Sequence, residues 1–210
     1  MMAWNPDIIP EQMLTEWVRL SYDFSEEEQQ TLVQWMLVSR EIYELYTAPL
    51  GLGWMITPHT HYGPNPSGYE YDIWGTYHRA AHDAVGVDRT EKGTDYAAQY
   101  QYELCRMYSN PETCPELLLL FFHRLPYLYR MKDGRTLIQR IYDDHFEGAR
   151  LAAELEKILN SLPFPDEERE VILDRAARQR TNAENWRDVI NTFFYRLSGI
   201  EDEQGRKIYL

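Results

Sequence analysis

Between Arg135 and Leu162 the apolar residues Leu137, Ile138, Ile141, Tyr142, Phe146, Leu151, Leu155, Ile158 and Leu159 recur at three- and four-residue steps, until "LPFP" closes the pattern. That spacing puts them on one face of a helix, which must find another apolar surface to bury it. Gly148 is the one point at which this long helix is expected to break. Three further segments carry the same signature. After Pro10, the residues Met13, Leu14, Trp17, Val18 and Tyr22 form a stripe that ends near Tyr22. In "SEEE", Ser25 can cap a helix start with Glu28 reaching back to it, and the stripe Leu32, Trp35, Met36, Ile42, Tyr43 and Tyr46 runs on to about Thr47. Asp166 can cap a stretch through Val171, Ile172 and Ala176, continued by Trp186, Val189, Ile190, Phe193, Phe194 and Leu197 to a stop at Gly199. "TCPE" suggests one more start, with Thr113 as cap and Glu116 as its partner, before an apolar run that Pro126 ends or kinks. No period-two alternation and no internal repeat is visible. The expectation is a single all-α domain over residues 1–210.

Residues 48–96 do not fit that pattern. They are rich in glycine, proline, histidine and aromatics and lack sustained helical spacing. Ordinary connections run about four to six residues, and much longer ones are usually functional or disordered. Seven large aromatics (Trp54, Tyr62, Tyr69, Tyr71, Trp74, Tyr77 and Tyr96) argue against disorder and for an ordered binding surface.

Charge removes several classes of partner. Lysine and arginine total 21 against 34 aspartates and glutamates, a formal charge of −13. A basic footprint for nucleic acid is therefore not expected, and anionic membrane surfaces are disfavoured. The longest apolar run, Leu117 to Phe122, is far short of the roughly 20 residues of a membrane span. "MMAWNPDIIPEQ" has neither the basic start nor the apolar stretch of a secretory signal, so a cytoplasmic location is expected. Cys105 and Cys114 are the only cysteines, too few for a disulfide framework or a four-thiolate zinc site.

Among candidate chemistries, His59 and His61 alternate, and His78 and His82 lie one helical turn apart. Without a thiolate or an HExxH pattern, structural or solvent contacts explain them better, and neither metal nor cofactor is expected. No nucleophile elbow is present. Glycoside hydrolysis needs two carboxylates across the scissile bond, but nothing in the spacing of Glu70, Asp72, Asp83 and Asp88 singles out an acid and a base. The aromatics suit a carbohydrate, because a flat ring covers the apolar C–H face of a sugar. Each of them also suits a small core beneath the loop. Arg79 and Arg89 are able to grip a sugar carboxylate in a bidentate fork, or to pair with Asp83 or Asp88.

Several ordered motifs carry a resemblance: "PLGLGWM", "HYGPNPSGYEYDIWGTYHRA", "GVDRT", "CPELLLLFFHRLPY" and "LIQRIYDDHFEG", framed by "AWNPDI" at the start and "NTFFYRLSGI" and "GRKIY" at the end. Together they resemble the C-terminal domain of the α-glucuronidases of glycoside hydrolase family 67. "TPHTHYG" departs from the asparagine-rich version of that loop. The resemblance implies an enzyme that removes 4-O-methyl-glucuronic acid, α-1,2-linked to xylo-oligosaccharides, with inversion and without metal. It also implies a β-rich domain and a catalytic (β/α)8 barrel ahead of the helical domain, which packs on the barrel and supplies homodimer contacts. The general acid and base belong to the barrel, so this chain alone is expected to be inactive. Trp74 matches the tryptophan that closes over the bound uronic acid, and Trp54, Tyr77, His78, Arg79, Asp88 and Arg89 neighbour it in the motif. The alternative is a free-standing carbohydrate-binding or assembly module without catalysis.

Overall fold

The computed structural model describes residues 7–69 and 78–208. Six α-helices lie among the described residues: α1 (Pro10–Ser21), α2 (Glu26–Thr47), α3 (Tyr102–Ser109), α4 (Leu119–Phe122), α5 (Leu137–Ser161) and α6 (Asp166–Ser198). The only paired strands described are β1 (Ala84–Val85) and β2 (Leu125–Pro126), antiparallel with Val85 opposite Leu125. The all-α expectation holds. No helix among the described residues is long and apolar enough to cross a membrane.

The capping box of α2 is complete: the Ser25 side chain accepts the Glu28 N–H, and the Glu28 carboxylate accepts the Ser25 N–H at 2.7 Å. The helix α5 begins at Thr136, whose hydroxyl accepts the Gln139 N–H. It runs through Gly148 without a break. A Cβ at Gly148 would lie 2.7 Å from the Tyr46 backbone nitrogen, so glycine is needed there for α2 to cross α5 closely. Asp166 opens α6 as its first residue, with Pro165 in the cap position and no side-chain cap bond. Gly199 ends α6 at φ 67°, and its N–H bonds the Tyr195 carbonyl.

The main core lies where α2, α5 and α6 meet, among Ile42 and Tyr46, Ile138, Ile141 and Tyr142, and Ala183, Trp186, Ile190 and Phe194. A smaller core joins α1 and α2 to the α5–α6 turn through Val18, Phe24, Leu32, Val33, Leu162 and Phe164. Two expected stripes are narrower than their spacing implied. In α1 only Val18 is buried, and Trp17 is 46% exposed. Tyr43 of α2 is 55% exposed, because α5 and α6 cover only the Ile42–Tyr46 side of that helix.

The "TCPE" start is corrected. The Thr113 hydroxyl donates to the Met107 and Asn110 carbonyls, which closes α3 and caps nothing downstream. Glu116 turns to Arg140 at 3.0 Å, and only a 3-10 turn and the four-residue α4 follow. The chain then straightens, and Leu125–Pro126 pairs with Ala84–Val85. That pairing fixes the second half of the insert to the core.

The C-terminal segment is held by charge as well as packing. Asp202 is buried and accepts hydrogen bonds from Gln139 at 2.8 Å and from the Arg206 guanidinium at 2.7 and 2.9 Å. These partners hold its carboxyl down at about 2 despite burial. Arg206 also lies 4.1 Å above the Phe146 ring.

Candidate functional site

The first half of the insert leaves the 3-10 turn Pro49–Gly51 and folds onto α6. Thr57 and Tyr62 form an isolated antiparallel bridge, with the Thr57 N–H donating to the Tyr62 carbonyl at 2.7 Å, and the Asn65 N–H donates to Met55. A Cβ at Gly63 would sit 2.6 Å from the Trp186 ring, so the loop's backbone lies directly on α6. On this base Trp54 stands 45% exposed, with left-handed φ of 64°. Its ring meets His61 edge-on at 5.5 Å and Tyr69 at 5.4 Å, while His61 and Tyr69 are 6.1 Å apart. The three rings form one aromatic triad, of which Trp54 is a partly solvent-exposed member.

The second half is tied to residues 121–127. His78 is buried, with its ring 6.1 Å from that of Phe193, and its carbonyl accepts the Gly86 N–H at 2.7 Å. Arg79 is exposed at φ 42°, and its carbonyl accepts a bond from Arg124. Arg124 in turn pairs with Asp83 at 3.2 Å. Asp88 accepts both the N–H and the hydroxyl of Thr90, at 3.0 and 2.7 Å. Arg89 stacks 4.1 Å above the Phe121 ring, donates to the Phe121 carbonyl, and its burial lowers the guanidinium pKa. Asp88 Oδ1 and Arg89 Nη1 thus help to fix the loop's own shape.

The predicted residues therefore fall into two groups. Trp54 belongs to the aromatic triad, and His78, Arg79, Asp88 and Arg89 belong to the segment that pairs with residues 121–127. Trp74 and Tyr77 lie outside the described residues. Among the described residues no group of three or more His, Cys, Asp and Glu side chains is placed to hold a metal ion. Burial raises the Cys114 thiol to about 11, which keeps it protonated and inert near neutrality.

Two features escaped the sequence. His61 and Tyr69 were visible as aromatic residues, but nothing in their spacing showed that they brace Trp54. His145 of α5 and Asn191 of α6 are both buried at the centre of the helical core. Burial drives the His145 imidazole down to about 4, against the opposing pull of Asn191 and the Ile141 carbonyl. Each is a lone polar residue in an apolar stripe, which was the available signal.

Residues 1–207 match the family described as "Glycosyl hydrolase family 67 C-terminus". Over 209 residues the chain is 38% identical to the probable alpha-glucuronidase A of Aspergillus clavatus, covering 98% of this chain and 25% of that protein. The probable alpha-glucuronidase A of Aspergillus flavus is 37% identical, and the alpha-glucuronidase A of Aspergillus tubingensis 38%, over the same shares. The chain therefore spans 25% of the length of the curated relatives it matches.

Proposed function

The chain belongs to the family of glycosyl hydrolase family 67 C-terminal domains, and on that premise we propose that it forms one wall of an α-glucuronidase pocket without supplying the chemistry. The reaction is the inverting hydrolysis that frees 4-O-methyl-glucuronic acid from the xylose of a glucuronoxylo-oligosaccharide. Inversion needs one carboxylic acid to protonate the leaving oxygen and a carboxylate about 6.5–9.5 Å away to activate water. In this reading both groups lie in the catalytic barrel, outside these 210 residues. The observation that carries the proposal is the match over residues 1–207 to a domain that makes up 25% of its relatives.

Trp74 closes over the uronic acid as an apolar lid and orients it, a contact worth about 1–3 kcal/mol. Trp54 and its triad extend the wall, and Tyr77, His78, Arg79, Asp88 and Arg89 shape the rim. The pocket uses no metal or cofactor. Docking on the barrel and pairing with a second subunit cover apolar side chains such as Trp17 and Leu20 that stand exposed here.

Calorimetry with 4-O-methyl-glucuronoxylo-oligosaccharide tests whether the wall is a half-pocket. The isolated chain should show no affinity that depends on Trp74. Measurable binding lost on Trp74→Ala would overturn the proposal in favour of a free-standing binding module.

A further inference from the structure

A cleft of about 1070 Å³ runs between α2 and α6, with Tyr62 of the insert at its edge. Two of its rings reach solvent, Tyr43 at 55% and Tyr62 at 67% exposure, while Tyr46 beneath them is buried and partnered by Gln179. Asn182 and Asn185 also line it, three residues apart on α6 and so on one face of the helix. Asn182 is half-buried and Asn185 exposed. Among the described residues of the lining, the one cation, Arg178, is paired with Asp174 at 2.9 Å, so their charges cancel.

We propose that this cleft is a second saccharide site, which holds an unbranched, uncharged stretch of the xylan chain. Exposed tyrosine rings cover the C–H faces of pentose units, and carboxamides match vicinal hydroxyls because each offers a donor pair and an acceptor. A uronic acid is a poor fit, since the only guanidinium among the described lining residues is already neutralised by Asp174. A protein partner fits less well too, because the two exposed rings are set among amides and an ion pair instead of forming one apolar patch. Tyr62 follows His61, which braces Trp54, so the cleft continues the proposed pocket wall along the same loop. The inference rests on the family reading for the identity of the polymer alone.

Titrating unbranched xylotetraose into the chain, followed by NMR of the Asn182 and Asn185 side-chain amides, tests it. Saturable shifts are expected. Tyr62→Ala and Asn185→Ala, both at exposed positions and so compatible with a folded chain, should each weaken affinity by about fivefold or more. Three results would overturn the site: no saturable shift, undiminished affinity in both variants, or the same shifts on concentrating the protein without sugar, which would mark self-association. Because the ligand lacks the uronic acid and the readout is the side-chain amides of Asn182 and Asn185 on α6, this site and the half-pocket can fail independently.

Discussion

The helical core and the insert hold their shapes by different means. Where α2, α5 and α6 meet, side chains such as Ile141, Ile190 and Phe194 contribute by burial, and any apolar residue of similar volume at those steps would serve nearly as well. In the insert, shape depends on individual residues: Asp88 on Thr90, Arg89 on Phe121, Gly63 on the Trp186 ring. Among the described residues, all six non-glycine positions with φ in the left-handed region (Leu50, Trp54, His59, His61, Arg79 and Asp95) fall in the insert. Each such conformation costs about 1–2 kcal/mol and persists only where its surroundings over-determine it. The contrast assigns stability to the helices and, under the proposed function, contact with the uronic acid to the strained loop.

The contrast breaks most sharply in the core. Phe194→Ala should cost about 3–5 kcal/mol in denaturant unfolding, because it empties a fully buried site between α5 and α6. A comparable loss from Trp54→Ala would reverse the assignment.

Acid comes next. His145 titrates near 6.5 when unfolded and near 4 in the fold, so its contribution is complete above pH 6.5 and is lost as pH falls from 6.5 to 4. The total is about 3 kcal/mol. His145→Gln should flatten the stability profile across that window, measured by urea melts at several pH values. An unchanged slope would mean that another group controls it.

In the insert, Arg89→Ala should cost about 1–3 kcal/mol locally, by removing the stack on Phe121 and the bond to its carbonyl. Hydrogen exchange should speed up at the Arg89 and Ala97 amides and stay slow in the middle of α5. The smallest expected effect has the opposite sign. Asp95 is exposed at φ 57° and makes no side-chain cap bond, so Asp95→Gly should raise stability by up to about 1 kcal/mol in thermal unfolding.

This division also explains how far the sequence could be read. The starts of α2 and α5, the stop at Gly199 and most of the main core follow from period and capping chemistry, which act within one turn of the chain. Tyr43 and Trp17 were misplaced because spacing gives the face of a helix but not how wide a partner will cover it. "TCPE" misled for a related reason: a local capping pattern lost to Arg140, which is distant in sequence, and to the Thr113 bonds that close α3. In the insert the aromatic load raised the expectation of an ordered surface, but the contact of Trp54 with His61 and Tyr69 depends on turns that no periodicity encodes. The family motifs singled out Trp74, where composition alone offered seven large aromatics in the insert.

The claim that this domain builds a pocket wall without doing the chemistry is tested most directly by incubating the purified 210-residue chain with aldouronic oligosaccharides and measuring free 4-O-methyl-glucuronic acid. The account predicts no release above buffer from the chain alone, and release once the catalytic barrel of a family 67 enzyme is supplied with it. Release by the chain alone would contradict it and place the acid and base within these residues.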